Sequence, residues 1–273
     1  NGNANQCYQE VTNGIKTCMY PGYPELFMQF NKKVKFVYEP YWYNGIEYPK
    51  EQERGYPYQE DLYVPGYFEV SIKKGESIIF SAGDSQVATT RLKSLYESEV
   101  AARTPRTNFY NCLKNSAQQF YFRPKEQDAY LLAGYPWFKV RARDLFIALP
   151  GCSLHIEDPV RFEKIMDTAE PALRAYMENG APDPVIREVE HPDVGLWAIW
   201  AIQRYAKEVG VQKAAERYGD LVGEVITYIM AQKHPDMKMM DNGLLFANGR
   251  DEAITWMNST VNGRPVVPRS GYI

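Results

Sequence analysis

Metal-binding chemistry has little to draw on in this sequence. Its 273 residues include four cysteines (Cys7, Cys18, Cys112 and Cys152) and three histidines. No two cysteines stand in a CxxC pair and the histidines are far apart, which argues against a structural zinc site. Four scattered cysteines are too sparse for a disulfide scaffold, so free, mostly buried thiols in a reducing compartment are expected. No run of about 18 apolar residues occurs, so no membrane-spanning helix is expected. A dominant charge is missing too. The formal net charge of −3, from 31 Lys and Arg against 34 Asp and Glu, gives no reason to expect nucleic acid or an anionic membrane as partner. Neither a Ser–His–Asp arrangement, a phosphate-cradling glycine loop nor an internal repeat is apparent.

Aromatic residues are abundant instead: 21 Tyr, 12 Phe and 5 Trp, within a 45% hydrophobic composition. Aromatic rings stack on the flat C–H faces of sugars, although core packing accounts for most aromatics in any protein.

The patterning changes along the chain. Up to about Ala82, short β-branched and aromatic segments (Cys18–Tyr20, Leu26–Phe30, Val34–Tyr38, Phe68–Ile72) are punctuated by Pro21-Gly22, Pro65-Gly66 and Lys74-Gly75, and a hairpin-like stretch runs from Phe68 to Phe80. This predicts part of an antiparallel β-sandwich. From the Asp84-Ser85 cap signal onward a helical period takes over. Leu92, Leu95, Tyr96 and Val100 share one face, and Phe109, Cys112, Leu113 and Phe120 another. Asp158-Pro159 starts a helix striped by Phe162, Ile165, Met166, Ala169, Leu173 and Tyr176, and Gly180 ends it. Val194–Ile202 is apolar on every face, which predicts burial on all sides, whereas Leu221–Met230 is amphipathic. Alternating buried and amphipathic helices suit an α/α toroid, of which at most half is expected here. The predicted organisation is α+β: 1–84 the end of a β-sandwich domain, 85–128 a helical linker, 129–273 the first part of a toroid. Asn1 is not Met, and Val266–Ile273 is strand-like without a polar tail, so the chain reads as an internal segment of a longer protein.

Five blocks then carry a resemblance. The stretches Tyr41–Tyr56 and Glu60–Glu69 resemble the N-terminal domain of bacterial glycogen debranching enzymes. Ala133–Gly151, Asp193–Trp197, and Asp241–Phe246 with Thr255–Asn258 and Pro265–Arg269 are similar to the catalytic domain of that amylo-α-1,6-glucosidase family, in its order and approximate spacing. The resemblance implies an α/α toroid that removes the α-1,6-linked glucose at a branch stub with inversion, acting on glycogen or a related α-glucan in the cytoplasm. No cofactor is expected, because proton transfer by carboxyl groups suffices.

Inversion needs two carboxyl groups about 6.5–9.5 Å apart, one protonating the leaving oxygen and one activating water. The resemblance makes Arg143-Asp144 a sugar clamp; alternatively Asp144 caps a helix over Asp144–Leu149 and Arg143 is a surface charge. The family usually has Trp-Gly before this pair, where this chain has Arg141-Ala142. Trp137, Trp197 and Trp256 are candidate platforms, with core packing as the alternative for Trp197 and Trp200. Asp193 either binds substrate or caps its helix. Asn258 occupies the position where the family carries Asp as general acid, and an amide has no proton to give. Asp241, Asp251 and Glu252 are the nearest carboxyls, each readable as a turn residue. The family's second carboxylate is expected past Ile273, so this chain alone is expected to be inactive. A glucan-binding protein with an impaired site is the rival reading. An open half-toroid would expose apolar flanks around Leu196–Ile202, which predicts pairing with another copy or cover by further chain.

Overall fold

The structure, a computed structural model, describes residues 5–125, 127–135, 138–249, 253–267 and 270–273. Two compact units, Asn1–Arg103 and Thr104–Ile273, together make an α+β chain. Among the described residues, no helix is long and apolar enough to cross a membrane.

In the first unit, strands β1 (Tyr8–Val11), β2 (Gly14–Thr17) and β3 (Leu26–Phe30) pair antiparallel in sequence order. Asn13 turns the β1–β2 hairpin at φ 55°, a left-handed conformation that Asn tolerates better than most residues. Gly14 lies so close to β3 that a Cβ would sit 1.9 Å from the Met28 carbonyl oxygen, so only glycine fits. Strand β4 (Lys35–Glu47), the short helix α1 (Pro49–Glu53) and strand β5 (Gln59–Glu69) form a long two-stranded ribbon. Both of its strands are edges, which is why Pro40 and Pro65 are tolerated within them. Strand β6 (Phe80–Gly83) returns beside β3. Phe30, Phe36, Phe68 and Phe80 pack with ring centroids 4.9–5.0 Å apart.

The sequence reading needs correction at several points here. Cys18–Tyr20 is a turn, its cysteine Sγ near the Tyr20 and Tyr23 carbonyls, and the strand lies just before it. The stretch 70–79 turns at Lys74-Gly75 but forms no ladder, because the Asn31 side chain binds Ile79 N and Ser77 O in place of strand pairing. No helix starts at Asp84-Ser85. Gln29, 1% exposed in β3, binds both Val87 N and Val87 O, which ties that segment to the sheet. The helix α2 (Leu92–Ala102) begins only after a 3-10 turn at Thr89–Arg91.

The second unit starts with α3 (Phe109–Gln118), capped by the Asn108 side chain on Asn111 N at 2.8 Å. The face shared by Leu95, Tyr96 and Val100 on α2, and Phe109 and Leu113 on α3, are exposed. Strands β7 (Tyr121–Phe122) and β8 (Tyr130–Leu131) pair, and β9 (Val140–Arg141) leads straight into α4 (Ala142–Cys152). Helix α5 (Pro159–Asn179) starts and stops as the sequence indicates. Asp158 accepts from Arg161 N at 2.9 Å, Pro159 opens the first turn, and Gly180 closes the helix at φ 71°. Strand β10 (Ile186–Arg187) precedes α6 (Val194–Val209) and α7 (Val211–Met230). Gly210 alone joins these two helices at φ 97°, a left-handed conformation that favours glycine. Short strands follow: β11 (Met237–Met239), β12 (Leu245–Ala247), β13 (Thr260–Val261), β14 (Arg264–Pro265) and β15 (Gly271–Tyr272).

Helices α4 and α6 pack side by side with their N-termini together, so they run in the same direction. Helices α5 and α7 also run parallel: Lys213 pairs with Glu163 at 3.1 Å, Arg217 with Asp167, and Arg174 with Glu224. The core between the layers is aromatic at its centre, where Phe162 stacks on Tyr205 at 4.8 Å and both are 0% exposed. Contrary to the expectation of burial all round, α6 buries Val194, Ala198, Ala201, Ile202 and Tyr205, while Leu196, Ile199 and Trp200 are half-buried. The four cysteines are free, but none is fully buried.

Phe162→Ala should cost about 3–5 kcal/mol in chemical denaturation, since the ring is lost from a site that cannot collapse. Glu163 is held below the usual carboxylate range, chiefly by the Tyr205 hydroxyl and then by Lys213 and Arg217. A depressed carboxylate stabilises the fold fully above its unfolded pKa of about 4.3, and that stability fades as pH falls through the lowered folded value. Tyr205→Phe should therefore flatten the acid limb of the melting temperature against pH.

Candidate active site

Parallel pairing of β9 with β10, Val140 opposite Ile186 and Arg141 opposite Arg187, sets the segment entering α4 beside the segment entering α6. Arg143, in the first turn of α4, turns inward and is 2% exposed. Its Nε donates to Asp193 Oδ2 at 2.7 Å and its Nη2 to Asp193 Oδ1 at 2.8 Å, a bidentate pair. Nη2 also reaches the Ile254 carbonyl at 3.0 Å, which draws in the segment leading to Asn258.

Asp193 occupies the N-cap position of α6, yet its side chain caps no helix amide. Besides Arg143, Oδ2 accepts from Trp197 Nε1 at 3.1 Å, one helical turn on. Two ions taken out of water are costly unless their remaining hydrogen-bonding capacity is met, and here Trp197 and Ile254 help meet it. A carboxylate at a helix N-terminus is further favoured by the helix dipole.

His191 lies against the same guanidinium, its Nδ1 2.8 Å from Arg143 Nη2. A guanidinium has only donors, so Nδ1 must accept, and the ring is neutral with its proton on Nε2. Burial, and then the Arg143 cation, hold the imidazole below its ordinary pKa. The segment carrying His191 is pinned from behind: His234, 5% exposed, binds the Glu190 carbonyl through Nε2 at 2.8 Å.

Over this scaffold lies a cleft of about 540 Å³, with Phe138, Arg141, Glu188, His191, Asn258 and Thr260 among its lining residues. Of the residues singled out in the sequence, the structure brings together Arg143, Asp193 and Trp197, and puts Asn258 in the cleft beside them. Asp144 does not join them: it is exposed and its side chain makes no hydrogen bond among the described residues. Trp197 is half-buried against the core, edge-on to Trp200 at 5.6 Å, and Trp256 is 67% exposed. Trp137, Asp251 and Glu252 lie outside the described residues. Asp241 is exposed in a turn.

Sequence reasoning missed Glu188 and His191. The available signal was the cluster of charged residues Arg187, Glu188, Glu190 and His191 around the single apolar Val189. Nothing local connects positions 141 and 188; the parallel strand pair does.

Comparison with known families gives two matches. A family model described as glycogen debranching enzyme N terminal matches residues 1–79, and one described as amylo-alpha-1,6-glucosidase matches residues 114–273. The second covers more than half of the chain, which therefore belongs to the amylo-alpha-1,6-glucosidase family. No curated protein and no solved structure matches it.

Asp193→Asn should destabilise the second unit by about 3–5 kcal/mol, because Arg143 is left buried without its counter-ion; a denaturant titration measures this. His191 should not affect stability above its ordinary pKa of about 6.5, where both folded and unfolded rings are neutral. Below that value the unfolded chain takes up the proton first, so stability should fall with pH. Ring ¹⁵N chemical shifts should report the Nε2–H tautomer at neutral pH.

Proposed function

We propose that this protein hydrolyses α-1,6-glucosidic linkages in glycogen or a related α-glucan, inverting the anomeric centre, and that the cleft holding Asn258 receives the glucose released. The observation that carries this reading is the Arg143–Asp193 pair at the joined N-termini of α4 and α6, directly beneath that cleft, in a chain of this family. Parallel neighbours α4 and α6, alternating with parallel neighbours α5 and α7, are the arrangement from which an (α/α)6 toroid is built, its site at one end of the inner ring. In this reading residues 129–273 begin the toroid, 85–128 lead into it, and 1–84 close a partial β-sandwich. The protein works in the cytoplasm, and the half-buried flank of α6 meets a further copy or further chain.

The roles divide by burial. Arg143 and Asp193 position the wall of the site, with Trp197 locking the carboxylate. Asp144, exposed and with no side-chain partner among the described residues, is available to hold sugar hydroxyls, and Trp137 and Trp256 are proposed stacking surfaces. Asn258 orients the glycosidic oxygen. The reaction needs two carboxyl groups and no cofactor.

A second reading, a glucan-binding protein with weak or no turnover, draws on a specific observation. Among the described residues lining the cleft, Glu188 is the only carboxylate, and Arg141 lies 3.5 Å from it. Asn258 cannot protonate a leaving group, and general acid catalysis is worth roughly 10²- to 10⁴-fold.

Turnover of a branched α-glucan by the full-length protein separates the two. If Asn258 marks a lost acid, Asn258→Asp should raise the rate and add a high-pH limb to its profile. A wild type that is already fast and slowed by Asn258→Asp puts the acid elsewhere. Asp144→Ala should leave the melting temperature unchanged and cut turnover by at least about tenfold, the value of a charged hydrogen bond to substrate; full activity would make Asp144 a surface residue only.

A further inference from the structure

Among the residues lining the cleft, two polar atoms have no assigned task. Glu188 Oε2 and Arg141 Nε are both buried, and neither has a hydrogen-bond partner among the described residues. The two side chains form an ion pair, but an open one, 3.5 Å from Nε to Oε1. Buried polar atoms are nearly always satisfied, and leaving one unsatisfied typically costs about 1–3 kcal/mol, so two in one cleft require a reason.

The backbone adds a second observation. Glu188 adopts φ 61°, a left-handed conformation that a glutamate reaches only at some energetic cost. An ordinary backbone there would aim the carboxylate differently. The parallel pair β9–β10 places Arg141 beside it, and Arg141 in turn lies over the Phe138 ring at 5.3 Å, which restricts the guanidinium. Both residues line the cleft.

We infer that Arg141 and Glu188 form a hydroxyl clamp for the bound sugar: the open pair parts as the sugar enters, the Glu188 carboxylate accepting from one ring hydroxyl while the Arg141 guanidinium donates to the oxygen of the adjacent one. Vicinal hydroxyls each offer one donor and one acceptor, the complement of an open Arg–Glu pair. The charges of the clamp cancel, which suits a neutral sugar and gives no advantage to a phosphorylated or acidic one. Hydrogen bonds to two hydroxyls are directional, so the selectivity of the clamp turns on hydroxyl configuration.

This inference rests on the cleft being a glucose site, and the experiment keeps the two apart. The probes are isomaltose and its monodeoxy analogues, titrated into the full chain by NMR. Glu188→Gln and Arg141→Ala should each weaken isomaltose binding roughly ten- to hundredfold, and the double variant no further, because a clamp works as one unit. One adjacent pair of deoxy analogues should bind the wild type as weakly as isomaltose binds Glu188→Gln, and should lose nothing more in that variant. Gln preserves the shape of Glu, so the comparison survives if larger truncations unfold the chain. Unchanged affinity in Glu188→Gln, or additive losses, would overturn the clamp. If Asp144→Ala weakens isomaltose binding and Glu188→Gln does not, the clamp alone falls. If isomaltose does not bind the wild type at all, the glucose site falls and the clamp with it.

Discussion

A single buried ion pair organises the second unit. Arg143 and Asp193 are fifty residues apart in sequence, and their bidentate contact joins the start of α4 to the start of α6. Each ion would be ruinous there alone. Arg143 sits in the first turn of a helix, where the dipole disfavours a cation, and only the opposed carboxylate makes the position tenable. With one Nη2 hydrogen on Asp193, the other is shared between His191 Nδ1, whose tautomer it fixes, and the Ile254 carbonyl, which it draws inward on the segment leading to Asn258. What looks like several site features is one charge being satisfied from several directions.

The arrangement explains why a motif of adjacent residues can part company in space. Successive residues in a helical first turn point roughly 100° apart. Arg143 and Asp144 are therefore not a pair in the structural sense: one is scaffold, the other surface. The partner of Arg143 comes from a different helix altogether.

How legible this was in the sequence follows from the range of the forces involved. Helix α5 was readable to the residue because its cap, its opening proline, its apolar stripe and its terminal glycine are all local signals. The start of α2 was misread because a non-local contact, Gln29 on Val87, outweighed a good local cap at Asp84. At the site, the i to i+4 bond from Trp197 to Asp193 could be anticipated from helix geometry. The juxtaposition of Arg141 and Glu188 could not, because it depends on a two-residue parallel strand pair with α4 and α5 intervening. The exposed apolar faces of α2 and α3 show the limit of periodicity as evidence: it reports that a face is apolar, not that it is covered.

The ion pairs between α5 and α7 are half-exposed, with side-chain exposures of 17–56%, so each contributes little to stability. Their spacing matters more than their strength. Glu163 faces Lys213, Asp167 faces Arg217, and Arg174 faces Glu224, at a constant sequence offset of fifty. The sign of the charge reverses between the second and third rung. Sliding α7 one turn in one direction brings Glu224 opposite Glu170; sliding it the other way leaves Glu163 facing Val209. The slipped settings keep some opposite-charge pairs, Glu163 with Arg217 in the first direction, Asp167 with Lys213 and Arg174 with Asp220 in the second, but only the observed one makes all three rungs. The charge pattern therefore adds a bias toward the observed alignment of α5 and α7, on top of the packing that sets it.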